Sequence, residues 1–266
     1  MINYGGGAMN TKQRLQFKFI GIGLVMGLFL LSVPKDSAAE NISKPENAIY
    51  AELLSMYVQD GVADYAGFKE DEQKLDRYLS VLESTDIGTL PRNAQMAFYI
   101  NAYNAWTIKL ILSGYPGVES IKDLGGFFSG PWKKEFVRIN DQVVTLDYIE
   151  HDILRPTFKD PRIHFAVNCA SKGCPPLVSE PYEGSRLGEQ LDRSTREFIN
   201  DPEKNYLAGD KLYVSRIFKW FAKDFNQDVI GFFIKYADDS LKKQLQARGK
   251  SIQVKYLDYD WSLNGR

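Results

Sequence analysis

The sequence predicts an α+β fold: a single domain in which a central buried helix packs on a small, mainly antiparallel sheet. Three observations support this prediction. Several segments space their apolar residues as amphipathic helices do, short β-prone runs are bounded by turn residues, and helices and strands follow one another without a regular rhythm. Because a parallel sheet needs a crossover after every strand, the irregular order favours helices packed beside antiparallel strands.

The first 39 residues are arranged as in a secretory signal peptide. Basic residues lie within 12–18, an apolar run covers 19–33, and small residues end at Ala39. The run is shorter than the roughly 20 residues that a spanning helix needs, which favours cleavage after Ala39 over an uncleaved anchor. The sequence thus predicts an exported protein, periplasmic or extracellular, whose mature part, residues 40–266, has no membrane span.

The first part of the mature chain is predicted to be helical. Residues 46–58 and 71–83 carry apolar residues at helical spacing and flank a turn at 61–67. A proline then opens a longer helix over 92–113, and a glycine closes it. This last helix has a high apolar content, so we expect it to be the buried central helix.

The middle of the chain is predicted to contain a hairpin, a short helix and a buried strand. Residues 134–146 form two β-prone runs about a turn at Asn140-Asp141, which predicts the hairpin. A helix over 147–154 follows and ends before Pro156, because the residue that precedes a proline is biased away from helical geometry. The apolar, β-prone run 163–168 is predicted to be a buried strand.

The C-terminal part is predicted to combine helices with short strands. An amphipathic helix covers 185–199, and two further helices cover 229–237 and 240–247. Short strands are expected at 212–214 and 252–257. These elements complete the predicted domain.

Charge and aromatic content narrow the classes of partner. The 33 basic and 34 acidic residues give a net charge of −1 and are mixed along the chain. Such a chain has no broad electrostatic field to gather nucleic acid or anionic lipid, so neither is an expected partner. Aromatic residues make up 13% of the sequence, which suits a ligand-facing groove as well as an aromatic core. The expected partner is a small-molecule or peptide-like ligand.

Two asparagines mark the central helix as a candidate part of a site. Asn101 and Asn104 are three residues apart and share one face of a helix whose neighbouring residues are apolar. A buried amide without a partner costs about 1–3 kcal/mol, so both must find hydrogen bonds. They either tie the helix to a neighbouring loop or orient a substrate carbonyl or a catalytic imidazole.

Glu150 and His151 place an acid beside an imidazole on the predicted helix 147–154. Neighbouring residues on a helix point about 100° apart, so the two side chains do not face each other. One of them can point inward toward a site. The alternative is that both lie on a solvated helix face.

The segment from His164 to Cys174 is the strongest candidate for chemistry. Histidine is scarce, two in 266 residues, and His164 begins an apolar run that leads to Cys169. A nearby imidazolium lowers the pKa of a thiol and so makes a thiolate nucleophile. On an unbroken strand His164 and Cys169 would face opposite ways, so the pairing needs a turn at Asn168 or His151 as the partner.

Other states of the same residues stay open. Cys169 and Cys174 can close a small loop as a disulfide, which is the expected state in an oxidising compartment. Together with His151 and His164 they can also form a zinc site, although the His-x4-Cys-x4-Cys spacing matches no standard zinc motif. Inert buried cysteines are the remaining alternative.

Several segments resemble the family catalogued as domain of unknown function 547. They are 98–106, 147–155, 164–169, 174–176, 217–225 and 256–264, in this order over roughly residues 90–264. The family pattern has glycine more often than alanine at the position of Ala170. The resemblance implies no established activity. Its His-plus-Cys segment and Asn-rich helix are similar to papain-like and transglutaminase-like folds, an analogy that does not fix function.

The leading hypothesis is an exported hydrolase or transferase that acts on amide or acyl bonds. Cys169 is its nucleophile, His164 its general base and Glu150 its supporting group. The substrate-binding residues of this hypothesis are Asn101, Asn104, His151 and Cys174. The alternative is a non-catalytic ligand-binding module of the cell envelope with a structural Cys169–Cys174 disulfide. Neither hypothesis calls for a cofactor or a metal.

Overall fold

The structure is a computed structural model, and it describes the backbone of residues 37–126 and 129–265. Side chains are described within these ranges except those of 37–46 and Lys250. Most of the predicted signal peptide, residues 1–36, lies outside the described residues. The described residues cluster as one unit, and none of their helices has the length and apolar character needed to cross a bilayer.

Eight α-helices form in the described residues, mostly where apolar side chains recur at helical spacing. They are α1 (Ser37–Tyr57), α2 (Tyr65–Glu70), α3 (Glu72–Ser84), α4 (Arg92–Leu112), α5 (Leu187–Ile199), α6 (Ile217–Trp220), α7 (Val229–Tyr236) and α8 (Asp239–Arg248). The six predicted helices that correspond to α1, α3, α4, α5, α7 and α8 are confirmed. Helices α2 and α6 were not predicted, because 6 and 4 residues are too few to show a periodic pattern.

Seven short strands form three separate sheets in the described residues. They are β1 (Val58–Gln59), β2 (Val62–Ala63), β3 (Val137–Ile139), β4 (Gln142–Val144), β5 (Tyr206–Ala208), β6 (Lys211–Val214) and β7 (Gln253–Tyr256). The pairs β1–β2, β3–β4 and β5–β6 are antiparallel, and β6–β7 is parallel. Asn140 and Asp141 turn the predicted β3–β4 hairpin in the left-handed conformation that such turns require. The predicted α+β fold is confirmed.

The central helix α4 packs against other helices rather than on a sheet. Its main neighbours are α2, α3, α5 and a π-helix over Tyr148–Phe158. Most side chains from Met96 to Leu112 are buried, as predicted, and their main described contacts are with helices. The described strands have two to four residues, so no described sheet offers a face as long as this 21-residue helix.

Two hydrophobic clusters hold the described residues together. The larger one surrounds α4 and includes apolar side chains of α1, α3 and the π-helix. The smaller one is rich in phenylalanine and buries the rings of Phe165, Phe198, Phe218 and Phe233. The ring centroid of Phe165 lies 5.1 Å from that of Phe198 and 5.8 Å from that of Phe218. Phe165 thus anchors the segment that carries His164 against α5 and α6.

The prediction of a strand over 163–168 is wrong. Residues Pro161–Phe165 form a short 3-10 helix instead. Asp160 caps this helix, because its carboxylate accepts a hydrogen bond from the Arg162 amide at 3.0 Å, and a proline at the first position suits a helical start. Residues 163–168 are all buried. Their sequence therefore shows no alternation of apolar and polar residues, the pattern that would distinguish a strand from a helix.

The helix predicted over 147–154 does not end before Pro156. It continues as a π-helix over Tyr148–Phe158 that contains Pro156, and Lys159 ends it with a φ of 54°. A proline clashes with the carbonyl four residues earlier in an α-helix, a conflict that the wider π-helical turn reduces. The longer helix brings Arg155 within hydrogen-bond distance of Asp224.

Candidate functional site

A pocket of about 200 Å³ lies between α4, the π-helix, α6, the loop 168–175 (the cysteine loop) and the C-terminal segment 259–264. Its ionisable side chains and sulfur atoms come from Asp147, Glu150, His151, His164, Cys169 and Cys174. Its aromatic rings come from Tyr103, Trp132, Trp220, Phe221, Tyr259 and Trp261. Among the described lining residues there is no lysine or arginine. Five of the seven predicted site residues therefore meet at this pocket, and the two asparagines of α4 do not.

His164 lies between two carboxylates. Its Nε2 atom is 2.7 Å from Oδ2 of Asp224, and its Nδ1 atom is 3.9 Å from Oε1 of Glu150. The residue is 2% exposed, and its ring stacks on Phe221 with centroids 3.9 Å apart. Nδ1 is buried and has no hydrogen-bond partner among the described residues. Asp224 accepts the hydrogen on Nε2, so Nδ1 is the ring nitrogen that faces Glu150.

Arg155 supports Asp224 from the other side. Its Nε and Nη2 atoms donate to the two carboxylate oxygens at 2.6 and 3.0 Å. The hydrogen bond from His164, together with the Arg155 guanidinium, holds the pKa of Asp224 well below its usual range. Asp224 therefore stays ionised and fixes the orientation of the imidazole.

Glu150 and His151 both line the pocket but differ in exposure. Glu150 is 9% exposed, whereas His151 is exposed and its Nδ1 atom lies 3.2 Å from Nη1 of Arg155. Burial, and then the negative charge of Glu150, raise the pKa of Tyr103. Within the described part of the chain, the one ion-pair contact of Glu150 is its 3.9 Å approach to His164. This carboxylate faces the pocket without a full counter-charge.

Cys169 and Cys174 form a disulfide, so both cysteines of the sequence are used. Cys169 is half-buried at the pocket and Cys174 is buried. The hydroxyl of Tyr259 donates to Sγ of Cys174 at 3.1 Å, and burial raises the pKa of Tyr259. The disulfide leaves no thiolate for nucleophilic attack or for zinc. The described residues also contain no group of three or more His, Cys, Asp or Glu placed to hold a metal ion.

Three of the four tryptophans of the chain line the pocket. The ring centroid of Trp261 lies 5.6 Å from that of Trp132, 5.7 Å from that of Trp220 and 4.5 Å from that of Tyr259. These distances are typical of tilted and edge-to-face aromatic contacts. The four rings form one continuous surface, here called the aromatic wall.

Residues 87–199 match the model of the family described as "Protein of unknown function, DUF547". The predicted family resemblance is confirmed. The DUF547 segment contains Glu150, His164 and both cysteines, whereas Asp224 and three rings of the aromatic wall lie beyond it. No curated protein and no solved structure matches the chain. The comparison with papain-like and transglutaminase-like folds stays a prediction.

Asn101 and Asn104 tie α4 to two loops of the DUF547 segment. The side chain of Asn101 donates to the Tyr182 carbonyl and accepts from the Tyr182 amide, both at 2.8 Å. Asn104 donates to the Ala166 carbonyl at 2.9 Å and accepts from the Asn168 amide at 2.8 Å. Neither asparagine lines the pocket. Their side chains tie the helix to neighbouring loops, which was the alternative to a contact with substrate.

Asp224 is the site residue that the sequence analysis missed. It lies 60 residues from His164, and its only signal is its place in the family-like segment 217–225. Glu150, the predicted supporting group, is 3.9 Å from the imidazole, so the carboxylate that holds the ring is Asp224.

Ala170 adopts a backbone conformation that favours glycine. Its φ is 60°, in the left-handed region that glycine adopts with the least strain. Its carbonyl accepts a hydrogen bond from the Asn264 amide at 3.1 Å. This conformation turns the cysteine loop toward the C-terminal segment.

The C-terminal segment 259–264 closes one side of the pocket by pairing with the cysteine loop. The amide of Gly173 donates to the Asp260 carbonyl at 2.8 Å. A Cβ atom on Gly173 would lie 2.8 Å from the Tyr259 ring and 2.9 Å from that same carbonyl oxygen. The close approach therefore requires glycine.

Gly173→Ala is expected to lower the free energy of unfolding by about 2 kcal/mol, because the added methyl group pushes Tyr259 and its segment off the loop. Denaturant unfolding measures the loss, and the tryptophan emission should shift as the aromatic wall moves. Gly188→Ala is the control, since a Cβ atom there meets nothing within 4 Å. Equal losses in the two variants would contradict the packing argument.

Proposed function

We propose that this chain is a non-catalytic ligand-binding module of the cell envelope in which the Cys169–Cys174 disulfide is structural. The observation that carries the proposal is that this disulfide and the aromatic wall line one small pocket. Aromatic walls with a few converging polar groups are typical of small-molecule sites. Export, as the N-terminal pattern predicts, belongs to the proposal, because an oxidising compartment preserves such a disulfide.

The size of the pocket suits a small ligand or one end of a longer one. Its volume of about 200 Å³ is below the roughly 300 Å³ at which drug-sized sites begin. It exceeds the roughly 150 Å³ of an apolar cavity that holds benzene. A peptide-like ligand would place a single side chain in it.

A second candidate is a thiol-dependent hydrolase or transferase acting on amide or acyl bonds. It is favoured by one observation: His164, held by Asp224, lies at the same pocket as Cys169. The reaction first needs an external dithiol, which is oxidised while the bridge becomes two thiols. His164 would then take the Cys169 proton, the thiolate would attack a carbonyl carbon, and His164 would pass the proton to the leaving amine as the C–N bond breaks; water or an acceptor nucleophile would release the acyl group from Cys169.

Thiol titration separates the two candidates. In protein purified without reductant we expect no alkylation of either cysteine, even after unfolding, and an intact mass two hydrogens below that of the reduced form. Replacing both cysteines with alanine should lower the free energy of unfolding by about 2 kcal/mol, the loop-closure value for so short a loop. A free Cys169 that is alkylated faster than in an unfolded control would favour the thiol enzyme instead.

Binding itself is tested with the tryptophans of the aromatic wall. Neutral sugars, organic cations, organic anions and a short peptide are titrated while the emission is recorded. We expect at least one class to change the emission and Trp220→Leu to weaken the change, since Trp220 lies at the pocket and is 44% exposed. If no class binds, the module proposal fails.

A further inference from the structure

We infer that the ligand of this pocket is an organic cation that carries a quaternary ammonium group. The inference rests on the proposed function and names the ligand class of the same pocket. Three properties carry it: a wall of aromatic faces, an acid without a full counter-charge, and no lysine or arginine among the described lining residues.

The aromatic wall supplies the first contribution. The faces of tryptophan and tyrosine rings are electron-rich and attract cations that come within about 6 Å of the ring centroid. One ring already makes such a contact with the protein's own cation, because Nζ of Lys122 lies 3.8 Å from the centroid of Trp261. Trp220 and Tyr259 pack against Trp261 at interplanar angles of 32° and 53° and also line the pocket. A methylated ammonium group in the pocket would therefore lie beside several aromatic rings.

Glu150 supplies the second contribution. Burying a carboxylate is unfavourable unless a cation or several hydrogen bonds accompany it. Glu150 is 9% exposed. It has a side-chain hydrogen bond with Tyr103 and interacts electrostatically with Arg155, but its nearest ion-pair partner within the described residues is His164 at 3.9 Å. A bound cation would offset this unfavourable burial.

Three carboxylates, those of Asp147, Glu150 and Asp224, lie at or beside the pocket against two permanent cations, Arg155 and Lys122. Asp224 is matched by the two hydrogen bonds from Arg155. Asp147 adds a second carboxylate to the lining, and its own ion-pair contact is a 4.0 Å approach to His151. An anionic ligand would be repelled by these groups, and a neutral sugar could stack on the wall but would gain nothing from the carboxylates. The observations therefore favour a cation.

Choline and 3,3-dimethylbutan-1-ol are the matched probes. They have nearly the same shape and differ by the positive charge, so the comparison isolates the electrostatic part of binding. Both are titrated into the disulfide-intact protein by tryptophan emission and by calorimetry. We expect choline to bind at least about tenfold more tightly, the size of one desolvated cation–π contact.

Glu150→Gln tests the acid. The variant should bind choline more weakly than the wild type, because the ring contacts remain but the carboxylate is lost, and its affinity for the alcohol should equal that of the wild type. The unchanged alcohol affinity also shows that the pocket remains folded. Glu70→Gln is the control, because Glu70 is exposed and does not line the pocket; it should leave both affinities unchanged.

The outcomes separate this inference from the proposed function. Equal or tighter binding of the alcohol overturns the cation inference, and so does choline binding that Glu150→Gln leaves intact. If a neutral methyl glycoside changes the emission and choline does not, the cation inference is wrong and the ligand-binding module stands. If sugars, cations, anions and peptide all fail to bind, both proposals fail.

Discussion

Asp224→Asn is expected to lower the free energy of unfolding by about 3 kcal/mol at neutral pH. The carboxylate accepts one hydrogen bond from His164 at 2.7 Å and two from Arg155 at 2.6 and 3.0 Å. An amide keeps the shape but loses the charge and turns its NH2 group toward one of these donors. Hydrogen bonds to charged groups contribute about 1.5–3 kcal/mol each. The Asp224 side chain is 23% exposed, so water replaces part of what is lost.

The effect of Asp224→Asn should depend on pH in one direction. The His164 hydrogen bond and the Arg155 guanidinium hold the pKa of Asp224 well below its usual range. A carboxyl whose folded pKa is lowered stabilises the fold above its unfolded pKa of about 4, and this contribution is lost as the pH falls toward the folded pKa. The difference in free energy of unfolding between wild type and variant should therefore have its full size at about pH 6 and be smaller at about pH 3. Denaturant unfolding at the two pH values measures it.

Asp192→Asn is the matched control for Asp224→Asn. Asp192 also accepts a hydrogen bond from an arginine, Arg162, at 2.8 Å, but its side chain is 48% exposed. Exposed ion pairs contribute about 0–1 kcal/mol, so this variant should lose little at either pH. If Asp224→Asn loses no more than the control, Asp224 does not hold the imidazole as the geometry implies.

The long helices could be predicted because local signals determine them. Helix α4 follows Pro91, ends just before Gly114 and is apolar over most of its length. The β3–β4 hairpin is likewise set by Asn140 and Asp141, which tolerate the left-handed conformation of its turn. In both cases the residues that decide the structure lie within the element itself.

The segment that carries His164 could not be predicted, because residues distant in sequence decide its conformation. Phe165 packs on Phe198 and Phe218. Because the whole segment is buried, its sequence is apolar on every side and does not show the apolar–polar alternation by which a half-buried strand is recognised. The π-helix is a similar case, since Pro156 ends most α-helices but here lies inside a wider turn. Tertiary packing overrode the local preference in both segments.

The candidate site could be predicted in part. His164 and Cys169 stood out because histidine and cysteine are rare in this chain, two of each, and the structure places both at one pocket. Asp224 is one of 34 acidic residues, and nothing local distinguishes it from the others. Its contact with His164 depends on the approach of two segments 60 residues apart, which no spacing rule provides.

Asn104→Ala is expected to lower the free energy of unfolding by about 3 kcal/mol and to disturb the pocket. The truncation leaves the buried Ala166 carbonyl and Asn168 amide without the side chain that bonds them both. A buried polar group without a partner costs about 1–3 kcal/mol. These two backbone groups lie between His164 and Cys169 in sequence. We therefore expect a dithiol to reduce the disulfide faster in this variant and the emission of the aromatic wall to shift.

Asn101→Ala makes this test specific. Asn101 forms the same pair of hydrogen bonds, with Tyr182, and is as deeply buried, 2% exposed against 3% for Asn104. The two variants should lose similar stability, so global unfolding contributes equally to the reduction rate in each. Faster reduction in Asn104→Ala alone then reports the cysteine loop. If both variants change the pocket equally, the amides act through a general loosening of α4, and the loop does not depend on Asn104 in particular.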